Sequence, residues 1–476
     1  MSHFLCLFSK EKKCVFIFPF SIDKRIYVCY TCLGRGSAAA KKISGEWSMN
    51  NELNKEKDIY KTSRGLHIAY AAFEYFISIL VGTTYLAKLG TAVGLDDGTI
   101  GLVTSFLALG AAFQLASIFI GDKMSRKGSI ILVTFFDMLC FTLLYVVPFV
   151  KLPDNLRPWV FITLLLAANI LRHIASPQKT AWSRDLVKEG HLGRFSALNE
   201  TISLISGMIF SFAMGAIIDY LEAKNRLMLA FGIIGAILFI LTECSTIVLL
   251  LAKQKPLTKR VEEKPLLRIK SAFSDKATLT LIPFYILWNI AGYTTTPFFG
   301  TYAIKELGFT MTAVSIITAA YSIFRAFISR PFGALGDKRG FVGNLTIGIS
   351  AFIVALSVMM LGGKASYVIY QLLYAVVLAC TNSAIIVLIF NHVAAEKRAN
   401  AIAVVYSIGG LSGFLSTLAV RPLVNYIQGQ GNRFLFLENV YAQQVVCVIG
   451  ILFSVLSIVY ANIFIRRLPK LEKEDK

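Results

Sequence analysis

Glu74 and Arg172 are two of the ionisable residues that stand inside long apolar runs, where a charge is costly and therefore informative. Glu74 lies about nine residues into its run, ~13 Å from the near end if helical. It belongs to a stripe at helical spacing made of Tyr70, Glu74, Ser78, Gly82 and Tyr85. Arg172 lies ~9 Å deep in a second run, with Asn169 and Ser176 on its face. A carboxylate whose proton affinity depends on a nearby guanidinium couples proton binding to a change of shape; a permanent ion pair is the structural alternative. Both readings stay open. Two further runs carry Tyr285, Trp288, Asn289 and Tyr293, and Gln371, Tyr374 and Asn382. Rings with a few amides suit a pocket for a neutral polar or amphipathic solute, with helix packing the competing role of each ring.

The runs that position these residues are membrane-spanning helices. Of the 476 residues 56% are hydrophobic and only 16% charged, against roughly 25% charged in soluble domains. The net charge of +20 would suit nucleic acid in a soluble chain. Here Lys and Arg fall in short loops between apolar runs, so they report topology and imply no nucleic-acid partner. Apolar runs near 66–89, 98–120, 129–150, 158–178, 196–220 and 227–252, then 278–303, 311–335, 341–362, 365–391, 399–424 and 440–465, are each long enough to cross a bilayer. Only helices satisfy their backbone there, which predicts an all-α membrane protein of twelve transmembrane helices in two six-helix bundles. We number these spans one to twelve.

Alternate loops hold the basic residues: Lys123, Arg126 and Lys127; Lys179, Arg184, Lys188 and Arg194; Lys338 and Arg339; Lys397 and Arg398. These loops and both termini are therefore expected in the cytoplasm, in a multi-pass plasma-membrane protein. The expected organisation is a first bundle over 49–252, a charged cytoplasmic linker over 253–276, a second bundle over 277–465 and a cytoplasmic tail over 466–476. Residues 1–48 differ in character, with no run long enough to span and no ordered signal peptide. Gly45-Glu46 would be encoded by a purine-rich ribosome-binding sequence just ahead of Met49, so the expected start is Met49. A cytoplasmic tail is the alternative. Within that segment Cys29-x-x-Cys32 lacks any second cysteine pair or redox-fold context.

The run Gly121-Asp122-Lys123 recurs as Gly336-Asp337-Lys338, in each copy after the second span of a half. The second copy, Gly333-Ala-Leu-Gly336-Asp337-Lys338-Arg339-Gly340, resembles the loop motif of the major facilitator superfamily. The first keeps Asp122, Lys123 and the trailing Arg126-Lys127, but departs from the pattern at Ile118 and Ser125. Pro177, Asp185 and Arg194-Phe-Ser-Ala197 resemble a second motif of that family, echoed by Glu396 and Arg398-Ala-Asn-Ala401. The resemblance covers nearly all of residues 60–465.

The resemblance implies that Asp122 and Arg126 pair with each other and with Asp185, and that this cluster with Lys123, Arg194, Asp337, Lys338 and Arg398 gates one face. Fixing topology alone is the competing role. It also implies that spans one, four, seven and ten line a central cavity, so that Glu74 and Arg172 approach each other there. Spans three and six are peripheral in that family, which leaves Asp137 and Glu243 to local pairing. Asp219, near the outer end of its span, is expected to be wetted, and Arg325 in span eight has no evident partner. No phosphate-binding Gly-x-x-x-x-Gly-Lys-Ser/Thr sequence occurs, and the five histidines show no metal spacing. The expected protein is thus no enzyme and uses no cofactor. It is a monomeric secondary carrier of a small solute working by alternating access, with drug or metabolite efflux placed ahead of nutrient uptake, although span five lacks the Gly-Pro of the family's usual drug antiporters. Proton coupling is expected, with export placed ahead of uptake on a loose likeness of Ser176–Val187 to an exporter branch. A membrane sensor or lipid-handling protein on the same scaffold is the alternative.

Overall fold

A computed structural model describes residues 59–117, 119, 127–187, 192–255, 265–394, 397–434 and 440–469. The segment 1–48 and the Asp122 loop lie outside the described residues. Tyr60–Lys476 form one compact unit.

Among the described residues ten helices are long and apolar enough to cross a membrane, and a bent pair adds an eleventh. The twelfth expected span is the helix Lys276–Tyr293 with the short turns that carry it to Glu306. Over its described residues each expected run is therefore mainly helical. Several helices overshoot their apolar stretch: span four is Arg157–Asp185, span five Leu192–Ala223, span eight Met311–Arg339 and span eleven Arg398–Gly429. The backbone bonds of a helix are internal to it, so it can continue past the lipid into polar sequence without an apolar face. The overshoot of span four corrects one expectation, because Lys179 lies on the helix and is buried, not in a loop.

The first half packs one continuous apolar core, in which Ile77, Leu80, Met138, Phe141, Phe161 and Ile234 are fully enclosed. The second half packs in layers, one around Leu345, Ile389 and Ile465 and another around Phe352, Tyr370 and Cys447. Large apolar side chains such as Trp159, Ile209, Phe327 and Leu361 point outward. An apolar exterior around enclosed polar residues is what a hydrocarbon solvent selects.

Spans one and seven, equivalent in the two halves, are both broken near the face that carries Asp96. Span one bends by 48° between Lys61–Leu80 and Thr83–Ala92, with Gly82 extended at the break. Span seven ends its regular helix at Tyr293 and continues through a 3-10 turn Thr296–Phe298 into a π turn Tyr302–Glu306. Pro297, which has no amide hydrogen, sits in that 3-10 turn. At the opposite face Gly340 alone joins spans eight and nine, at a φ of +88° that favours glycine. That is the local reason for the last glycine of the repeated motif.

Candidate functional site

Span one, span three and span four bring their polar residues together inside the first half. The Lys179 ammonium lies 2.6 Å from Glu74 Oε1 and donates to the Tyr70 hydroxyl at 2.9 Å. Asp137 is fully buried, and neither carboxyl oxygen has a hydrogen-bond partner among the described residues. It lies within electrostatic reach of Lys179, Arg172 and Glu74. Arg172 places its guanidinium 4.4 Å from the centre of the Phe141 ring, and its buried Nε and Nη2 have no partner among the described residues. The same holds for both ring nitrogens of His173, against which span two packs at Gly110. Asn169 donates to the Leu165 carbonyl of its own helix.

The expected Glu74–Arg172 pair is thus replaced by Glu74–Lys179. Arg172 remains near enough to act on Glu74 electrostatically but is directed at a ring. Sequence reasoning passed over Lys179 and Asp137. The signal for Lys179 was present: Asn169, Arg172, Ser176 and Lys179 follow helical spacing once the helix runs past Pro177. Asp137 was set aside by analogy, whereas its burial puts it inside the cluster.

In the second half, Tyr285, Asn289 and Tyr293 face span eleven. A methyl group on Gly409 would sit 2.1 Å from the Tyr285 ring and 2.8 Å from the Asn289 amide, and one on Gly413 would sit 2.7 Å from Tyr293. Tyr285 also meets Tyr406 at 4.9 Å between ring centres, and Asn289 donates to the Tyr285 carbonyl. These three side chains fill grooves above glycines. Trp288 and Tyr374 converge on Phe352, with ring centres 5.5 Å and 5.9 Å away. Tyr374 stacks on Tyr370 at 5.7 Å and on Tyr321 of span eight at 6.4 Å, while Gln371 donates to the Tyr367 hydroxyl. The side chain of Asn382 lies outside the described residues.

A cavity of about 200 Å³ opens where spans one, five and eight meet across the two halves. Tyr75, Glu200, Ser203, Tyr321, Ser322 and Arg325 line it. Arg325 donates to the Tyr321 hydroxyl at a long 3.5 Å and makes no ion pair among the described residues. Glu200 is exposed, and both it and Arg325 act electrostatically on Tyr75.

On the Asp96 face the halves are locked by polar contacts. Asp97 accepts from Lys305 and, at 2.7 Å, from Gln428. Asp96 caps span two by accepting from the Thr99 amide and hydroxyl, and Arg421 stands 3.9 Å away while donating to Thr99 at 2.7 Å. Burial pushes the Asp96 carboxyl up, but its bonds from Thr99 and Asn425 and the Arg421 charge outweigh that and hold it below the usual carboxylate range. Asp219, expected to be merely wetted, accepts from the Met311 and Thr312 amides at 2.8 Å and 2.7 Å. That is a carboxylate of span five at the positive end of span eight. Tyr85 donates to the Ser211 carbonyl, as does Ser315 from the other half.

At the opposite face the gating residues are only partly described. Asp122, Lys123 and Arg126 lie outside the described residues; Asp185 ends the span-four helix and is exposed. The backbones of Arg194, Asp337 and Lys338 are helical, and their side chains lie outside the description. Arg398 donates to the Val393 and Phe390 carbonyls at 3.0 Å and 2.9 Å, closing the last turn of span ten.

Residues 66–417 match the family described as Major Facilitator Superfamily. No curated protein matches the chain in sequence. A mutant of the nucleoside transporter NupG is similar at a TM-score of 0.66 and 16% identity, covering 84% of this chain and 99% of that one. An auto-inhibited POT family peptide transporter is similar at 0.64 and 13%, covering 87% and 98%. A D-xylose-proton symporter is similar at 0.59 and 15%, covering 86% and 97%. Identities this low speak for the fold alone.

Proposed function

The chain belongs to the Major Facilitator Superfamily, and from that premise we propose that it is a proton-coupled secondary carrier moving a small solute by alternating access. One observation carries the reading: the halves are joined on the Asp96 face through breakable polar contacts, while a charged cavity opens deeper in the same seam. A fixed scaffold has no need of both.

In this reading Arg325, Glu200, Tyr321 and Tyr374 form the solute side of the site. The buried cluster of Glu74, Arg172, Asp137 and Lys179 forms the coupling side, with Asn169 in its helix. Asp137 is the group proposed to exchange the proton, since Glu74 is already held by Lys179 and Asp137 has two oxygens without a hydrogen-bond partner among the described residues. An unsatisfied buried carboxylate is expensive, so its charge state and the position of Arg172 are tied together. Tyr285, Asn289 and Tyr293 are proposed to guide span seven against span eleven, with Trp288 and Gln371 supporting the aromatic wall. Asp185, Arg194, Asp337, Lys338 and Arg398, with Asp122, Lys123 and Arg126, are proposed to gate the opposite, cytoplasmic face of the plasma membrane.

Purified protein in proteoliposomes tests the reading. Counterflow and accumulation across sugars, peptides, organic anions, nucleosides and dyes, with and without a pH gradient, should show one solute class carried and its accumulation driven by the gradient. The sign of that accumulation gives direction. Absence of flux for every class would favour the sensor or lipid-handling alternative.

A further inference from the structure

Resting on the transport reading, the seam cavity has a chemistry specific enough to name its occupant by class. Its two formal charges belong to different halves: Glu200 is on span five of the first half, and Arg325 is on span eight of the second. They line one cavity without forming an ion pair. Among the described residues the Arg325 guanidinium finds one hydrogen-bond acceptor, the Tyr321 hydroxyl 3.5 Å away. Ser203 and Ser322 add a hydroxyl from each half, and Tyr75 and Tyr321 add a ring from each. From Tyr321 the stacked rings of Tyr374 and Tyr370 continue into the second half.

We propose that this cavity binds a small zwitterionic solute with an apolar, ring-sized body, its anionic end on Arg325, its ammonium end on Glu200 and its body among the tyrosines. A solute with only one charge satisfies one wall and leaves the other unmatched. A zwitterion satisfies both and thereby ties the two halves together, which an empty cavity does not. Arg325 supplies a planar fork suited to a carboxylate, and Glu200 supplies an acceptor suited to an ammonium. Occupancy is then itself the signal for closing the seam, because the bridging bonds exist only when both halves approach the solute.

The test uses full-length purified protein in detergent and reads affinity from thermal-unfolding titrations. The probes are L-phenylalanine and glycyl-L-tyrosine as zwitterions, 3-phenylpropanoate as the anion-only analogue and 2-phenylethylamine as the cation-only analogue. At least one zwitterion should bind about tenfold more tightly than either singly charged analogue, the worth of one charge-assisted hydrogen bond. Arg325→Gln should reduce that zwitterion to the level of the cation-only analogue, and Glu200→Gln should reduce it to the level of the anion-only analogue. Both variants should keep the unliganded unfolding midpoint, which separates lost binding from lost folding. Equal binding of all four probes, or of none, overturns the proposal, and so does a wild-type preference that either variant leaves intact. Zwitterion binding without flux in proteoliposomes would leave this site standing and overturn the transport reading instead. Flux of another solute class without zwitterion binding would do the reverse.

Discussion

Lys179 of span four and Glu74 of span one, 105 residues apart in sequence, meet at 2.6 Å inside the first half. Their side chains are 10% and 30% exposed, so removing one partner leaves the other poorly hydrated. Lys179→Met should therefore lower stability by about 3–5 kcal/mol, the usual cost of a stranded buried charge. Lys179→Met combined with Glu74→Gln should recover much of that loss. Unfolding midpoints of the two single variants and the double variant check this, and additive losses would show that the pair is not coupled.

Asp137→Asn should separate coupling from movement. Solute exchange in counterflow should persist, while accumulation driven by a pH gradient should fall to the level seen without one. Glu74→Gln should impair coupling less, because the carboxylate of Glu74 already has its cation. Full gradient-driven accumulation in Asp137→Asn would remove Asp137 from the coupling path.

Gly300 of span seven packs on the Thr83 carbonyl of span one so closely that an added methyl would lie 2.5 Å from that oxygen. Gly300→Ala should push the halves apart on the Asp96 face. Spin labels at Asn225 and Asn432, one on each half of that face, should then report a longer distance. Gly292→Ala is the matched control, since nothing lies within 4 Å of its added methyl and the distance should not change.

The same pair of labels reads the pH dependence of the lock. Asp96 is held below the usual carboxylate range, so its contribution is complete above that range and is lost as pH falls through its lowered value. The label distance should therefore lengthen only in strongly acidic buffer. Asp96→Asn should reduce this acid response, leaving the Asp97 contacts to Lys305 and Gln428, and weaken the Arg421 side of the lock at neutral pH.

The twelve spans were legible because apolar length and loop charge are local properties, and helix ends differ from the apolar runs mainly where polar helix continues into water. The cluster was half legible. Glu74 and Arg172 advertised themselves by sitting in apolar sequence, but Lys179 was hidden beyond Pro177, where hydropathy suggests a loop. Tyr285, Asn289 and Tyr293 looked like pocket residues because sequence shows the ring and not the glycine beneath it, here on a helix more than a hundred residues downstream. Glu200 gave no signal of its own, since only the meeting of spans five and eight sets it across a cavity from Arg325.

The breaks in spans one and seven bear on speed. Each leaves a short piece, Thr83–Ala92 in one half and Thr296–Glu306 in the other, and these pieces touch at Thr83 and Gly300. Short segments rearrange in nanoseconds to microseconds, whereas whole bundles swing in microseconds to milliseconds. A barrier built from such pieces is expected to open and close more often than the bundles swing. Leak through this side is then governed by how seldom both pieces yield together, and turnover by the slower swing.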